Sequence, residues 1–311
     1  MNNISKSIYH YYQAHFDELS LSKQFHFASR LDVWSEDAWA HEKVEQLRKQ
    51  LLPTGEGAET LRRISDGTLI PLRYGSKGLQ ALRGPYFARY PKLRTYAAML
   101  YWALQLEHFY GIDARRAVVA NVADGELDQL YSDIMNDREA IAALSTYAIN
   151  FLYLYRRLFH HDAADLSPLL FEEIAASVHN RNDSDPRQLQ LRLYLLTHCI
   201  IADSLFYIRK LPSAHYTDYR HLLEILESTT EQHYATVALD NKFEFLICCR
   251  LIGYTSELEE KIIAEASRSF SPHGTFLIDT ENTNRISGST SLGNSEHRNV
   301  LYILTQRQYK G

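Results

Sequence analysis

Apolar residues recur at spacings of three and four along almost the whole chain, and no series of alternating segments interrupts them, so the sequence specifies an all-α protein. In the second half the pattern becomes orderly. Long helices begin near Asp137, near Pro186 (with Asp185 as N-cap and proline in the first turn), near Leu239 and near Ser295. The first three are each followed by a shorter helix, at 167–178, 216–228 and 256–269. The starts lie roughly 50 residues apart, a period that marks stacked supersecondary units. The unit is a helical hairpin. Four inner helices with shorter outer partners build either an open solenoid or an α/α-toroid-like partial barrel. On this reading residues 1–135 form an N-terminal helical subdomain and 136–311 an α/α-hairpin, toroid-like domain.

The N-terminal part is less regular. Helices are expected at 4–16 and 36–52, the second with Ser35 as N-cap and Pro53 as its stop, followed by a short charged helix at 58–64. The stretch 67–94 contains Gly67, Gly75, Gly78, Gly84, Pro71, Pro85 and Pro91 together with six lysines and arginines and no acidic residue after Gly67, and reads as a long basic loop. Its Arg73 and Lys77 suit capture of a phosphate or carboxylate; a strap neutralising an acidic neighbour is the alternative. An apolar helix follows at 93–110, ended by Gly111. Asn136, with Glu139 three residues on, starts a helix running to about Phe159.

With 311 residues, 45% of them hydrophobic and 23% charged, the chain can bury a large core. Its net charge of −5 argues against general binding to nucleic acid or to a membrane surface, both of which call for a basic face. Apolar runs such as 147–155 meet Arg156 and Arg157 well before the roughly 20 residues that a bilayer span needs. Cys199, Cys248 and Cys249 are odd in number and lack metal or redox spacing, which points to a reducing, cytoplasmic setting.

Four places set metal-capable or acid/base residues beside apolar helices. Asp240 and Glu244 are four apart, so their carboxylates share a helix face one turn apart. Among apolar neighbours such a pair can serve as general acid and base, whereas the simpler alternative makes Asp240 a helix cap and Glu244 an ion-pair partner. His198 lies within the apolar run 193–206, and His297 in the first turn of the last inner helix. With Asp240 or Glu244 the two imidazoles would make a Zn²⁺ or Fe²⁺ site of two histidines and a carboxylate, although no short ligand motif is present and core histidines are common. His273 sits in the Gly/Ser/Thr/Asn-rich stretch 271–294, a candidate closing element with Arg73 and Lys77. Adjacent Cys248 and Cys249 point about 100° apart on a helix and read as core. Walker, Rossmann, nucleophile-elbow and kinase signatures are absent.

Pro272-His273-Gly274-Thr275-Phe276 and Glu296-His297-Arg298-Asn299, with Leu239-Asp240-Asn241-Lys242-Phe243-Glu244, resemble the close of a repeat in the α/α-toroid superfamily of terpenoid cyclases and protein prenyltransferases. They also resemble a bacterial toroid family found among biosynthetic genes. The resemblance covers the C-terminal half. It implies a small-molecule or peptide-binding toroid, with metal-assisted or acid/base enzyme chemistry in a biosynthetic pathway. Asp-x-Asp-Asp and Asp-Asp-x-x-Asp motifs are missing, which removes support for ordinary terpene cyclisation, and the Cys-His-Gly tripeptide of lanthionine cyclases is missing too. The competing reading is a non-enzymatic helical-repeat scaffold that binds a partner protein on its concave face.

Overall fold

A computed structural model describes residues 2–71, 77–160, 166–179, 185–270, 275–278 and 291–310. Sixteen α-helices and two short 3₁₀ turns make up the described secondary structure, and the only β feature among these residues is one antiparallel bridge between Phe270 and Leu277. The expected all-α class holds. The chain forms two compact units: unit 1 comprises 1–44 and 206–311, and unit 2 comprises 45–205. The boundary placed at 135/136 from sequence falls inside unit 2.

Unit 1 is built around α16 (Leu292–Thr305), which packs against α1 (Asn3–Ala14), α2 (Leu21–Ser35) and α14 (Leu239–Ile252). Nearly every residue of α16 from Ser295 to Thr305 is buried, and His297 in the second turn is the exception. Its apolar part, Val300 to Leu304, forms core with Tyr302 against Phe243. Its polar part, Ser295, Glu296, Arg298 and Asn299, must find partners inside the protein, because a buried polar group without one is strongly unfavourable. Asn299 finds them locally: its Nδ2 donates to the Ser295 and Leu277 carbonyls at 2.8 and 3.2 Å, and its Oδ1 accepts from the Leu277 N–H at 2.7 Å. One amide side chain thereby holds the bridged segment to α16.

The two ends of the sequence meet in this unit. Asn2 Nδ2 donates to the Tyr302 hydroxyl at 2.8 Å, Tyr12 Oη to the Leu292 carbonyl at 3.0 Å and Trp34 Nε1 to the Arg307 carbonyl at 3.2 Å, while Arg307 reaches Ser35 and Asp37. On the other side of α14, which also packs against α13 (Tyr216–Gln232) and α15 (Glu259–Arg268), Lys242 Nζ lies 2.9 and 2.7 Å from the two Glu265 carboxylate oxygens and 3.8 Å from the Tyr234 ring centre. Both charges are at most 2% exposed.

Unit 2 contains α4 to α12, after the C-terminal half of α3 (Ala38–Leu51). α10 (Thr146–Phe159) packs between α6 (Leu93–Tyr110) and α12 (Pro186–Asp203), and α11 (Pro168–His179) covers α12. Expected punctuation is observed at Gly111, which ends α6 at φ 71°, and at Asp185, whose side chain caps α12. Three expectations need correcting. The helix expected from Asp137 to Phe159 is two helices, α9 (Arg138–Leu144) and α10, separated by Ser145 at φ 51°. That strained conformation goes with a buried hydroxyl donating 2.9 Å to the Leu191 carbonyl. Asp137 rather than Asn136 caps α9, and Asp37 rather than Ser35 accepts from the first turn of α3. Thirteen residues of the basic stretch form helix α5 (Lys77–Arg89), with Pro85 inside it. Gly84 before the proline removes the Cβ whose clash ordinarily excludes helical geometry there.

Breaking the buried Lys242–Glu265 pair from one side leaves an uncompensated charge. Lys242→Met is expected to lower the unfolding free energy by about 3–5 kcal/mol, and the double change with Glu265→Leu to recover most of the loss. Denaturant unfolding of the three proteins checks this.

Candidate functional site

The first two turns of α16 face α14 on one side and α2 on the other, and three sets of charged groups meet there within unit 1. Arg298 Nε donates to Asp240 Oδ1 at 2.6 Å, with the arginine side chain 1% exposed. One residue back, His297 Nε2 lies 3.1 Å from Glu244 Oε1. One further back, Glu296 is fully buried, its Oε1 2.7 Å from His26 Nδ1 and its Oε2 3.2 Å from Lys23 Nζ. The His26 and His297 rings approach to 5.3 Å between centres. Asp240 and Glu244 share a helix face, as their spacing requires, and that face meets α16.

Burial and charge decide the state of Glu296. Burial alone would raise its carboxyl, but His26, Lys23 and His297 outweigh that effect and hold it down at about 2, so it is an anion over the ordinary pH range. Burial holds the His26 imidazole below its ordinary value, and a neutral ring donating Nδ1–H to the carboxylate suits that geometry.

The Glu244–His297 pair has a different character. Its carboxylate is 2% exposed, whereas the imidazole is 36% exposed. A carboxylate accepting from Nε2–H fixes the tautomer and leaves Nδ1 with its lone pair. Beside Asp240 on α14, Asn241 is 2% exposed with neither amide atom hydrogen-bonded, an unusual state for a buried polar side chain.

The other expected site residues lie elsewhere. His198 is on α12 in unit 2, its Nδ1 2.9 Å from Asn150 Oδ1. Arg73 and His273 fall outside the described residues, as does the side chain of Lys77, whose backbone starts α5. Among the described residues no group of three or more His, Cys, Asp and Glu side chains is arranged to hold a metal ion. Burial pushes the Cys199 and Cys249 thiols up, which suits core residues rather than nucleophiles. An open cleft of about 870 Å³ in unit 2 is lined by residues that include Arg89, Lys92, Glu126 and Asp137, but these pair with one another and belong to none of the three sets.

Sequence reasoning missed His26 and Lys23 because it assigned no helix to 21–35. Phe25, Ala28, Leu31 and Trp34 at intervals of three were the available signal. Glu296 and Arg298 were quoted only as neighbours of His297; that a carboxylate and a guanidinium flank a histidine in an apolar helix was the clue.

Comparison with protein-family models, characterised proteins and solved structures returned no match. No helix among the described residues is long and apolar enough to cross a membrane.

The depressed acidity of Glu296 sets a pH dependence. Its folded value lies below the ordinary 4.5, so its stabilising contribution is present above pH 4.5 and is lost as pH falls towards 2. Glu296→Gln is expected to flatten the acid limb of unfolding free energy against pH and to lower stability at pH 7 by roughly 2–3 kcal/mol. Denaturant titrations from pH 7 to 2 measure both effects.

Proposed function

We propose that unit 1 binds a small molecule or peptide at the α14–α16 face and that the Glu244–His297 pair acts there as an acid/base. The observation that carries this reading is the 3.1 Å contact between a buried carboxylate and a partly exposed imidazole. A carboxylate behind a histidine orients the ring and stabilises its protonated form, while the far nitrogen takes a proton from whatever lies against it. Asp240, held by Arg298, sets the position of α14 relative to α16 rather than moving protons. Asn241 supplies a donor and an acceptor that the protein itself does not use, as a polar ligand would require.

An α/α-toroid-like arrangement and a biosynthetic role accord with this site. Their support is the equal spacing of the starts of α12, α14 and α16 and the row of buried helices in each unit, α6–α10–α12 and α2–α16–α14. The donor set among the described residues does not favour a metal-assisted step.

Two measurements test the reading. Nitrogen-15 NMR of the His297 ring is expected to show the Nε2–H tautomer in the wild type and a mixture in Glu244→Gln. A thermal-shift screen with metabolite and short-peptide libraries is expected to give hits that His297→Ala and Glu244→Gln lose while both remain folded. Hits unchanged in both variants would remove the site, and an Nδ1–H tautomer would remove the proposed proton path.

Asn241→Leu separates a ligand group from a structural one. It is expected to stabilise the free protein by about 1–3 kcal/mol, through relief of a buried unpaired amide, and to weaken those same hits. Calorimetric unfolding with and without a hit reads both.

A further inference from the structure

The second uncommitted polar constellation lies in unit 2, where α5, α10 and α12 contribute one group after another to a common strip. Arg83, on α5, is 4% exposed. Its Nε donates to the Ala143 carbonyl at 3.3 Å, its guanidinium lies 5.1 Å from the centre of the Tyr147 ring, and its buried Nη2 has no hydrogen-bond partner among the described residues. Burial lowers the pKa of this guanidinium, and the only groups acting in the opposite sense are the phenols of Tyr147 and Tyr194, with no carboxylate among them. Arginine stays protonated in proteins, so this is an interior cation without a counter-ion among the described residues.

The surroundings are built to receive something. Gln190, Tyr194 and His198 succeed one another at intervals of four along α12 and so share a face. Gln190 Nε2 donates to the Tyr194 hydroxyl at 3.2 Å, while the buried Gln190 Oε1 is unpartnered. Asn150, which holds His198 at 2.9 Å, stands one turn from Tyr147 on α10. Tyr147, Asn150, Tyr194 and His198 are each partly exposed, and Tyr147 lies against the buried guanidinium. Two of the motifs singled out in the sequence, the basic stretch and His198, thus lie on one side of one unit, although the basic residue that counts is Arg83.

We infer that Arg83 anchors a binding site for a small oxyanion, a carboxylate or a phosphate, with Tyr194 and Gln190 contacting the polar remainder of the same ligand. The planar guanidinium presents paired donors that match either oxyanion. The site is independent of the Glu244–His297 pair and stands whether or not that pair moves protons.

The test is a titration of the full chain with sodium phosphate and, separately, sodium succinate, against sodium chloride at matched ionic strength. Thermal unfolding and calorimetric binding are the readouts. A ligand that binds only the folded state raises the midpoint with concentration. The expected result is a saturable rise with at least one of the two anions. Phosphate alone assigns the phosphoryl class, succinate alone the carboxylate class, and both the shared chemistry. Arg83→Met is expected to abolish the response and Tyr194→Phe to weaken it about tenfold. Should Arg83→Met not fold, Arg83→Lys keeps a charge without the paired donors and is expected to bind at least tenfold more weakly. A wild-type response no greater than that to chloride, or equal responses in wild type and the Arg83 variant, would overturn the assignment.

Discussion

Unit 1 depends on the pairing of buried charge on α16. A helix enclosed on all sides is ordinarily apolar throughout, yet this one carries Glu296, Arg298 and Asn299 in its first turns. Each is matched from a different neighbour: Glu296 from α2, Arg298 from α14, and Asn299 from the bridged segment at Leu277. Apolar packing would tolerate several rotations of such a helix. Three polar contacts within about one turn tolerate one, because any other leaves a charge buried without its counterpart. The position of His297 against Glu244 follows from that constraint.

The two polar constellations solve the burial problem in opposite ways. Around α16, each charge has an opposite charge within hydrogen-bonding distance, and the His297 ring and the Asn241 amide keep hydrogen-bonding capacity among the described residues. In unit 2 the Arg83 guanidinium has a carbonyl and an aromatic face but, among the described residues, no anion. The first arrangement is matched within the protein; the second, on the inference drawn above, takes its negative charge from a ligand. The two proposals accordingly rest on different physics: tautomer and orientation at one place, net charge at the other.

Helical class, most element positions and the face shared by Asp240 and Glu244 were legible in the sequence, because each follows from local periodicity or from a cap such as Asp185 or Gly111. What was not legible depended on distance along the chain. Nothing near Ser145 announces a break in a helix, since the hydroxyl's partner is the Leu191 carbonyl. The proline-containing stretch at 77–89 looked like a loop because its apolar pattern is weak, and Gly84 next to Pro85 makes a helix feasible only when the two are considered together. His198 and His297 were grouped by chemistry. The structure gives each a different partner, Asn150 for one and Glu244 for the other.

The discontinuity of unit 1 bears on the order in which the chain acquires structure during synthesis. Residues 45–205 form unit 2 as one uninterrupted segment, and folding as synthesis proceeds needs nothing later. Lys23 and His26, by contrast, emerge early with no carboxylate to meet, since Glu296 follows some two hundred and seventy residues behind His26. For most of translation α2 exposes the apolar side that α16 will cover. The N-terminal helices are therefore the stretch for which a holding chaperone, or slow emergence of the remaining chain, has the greatest consequence.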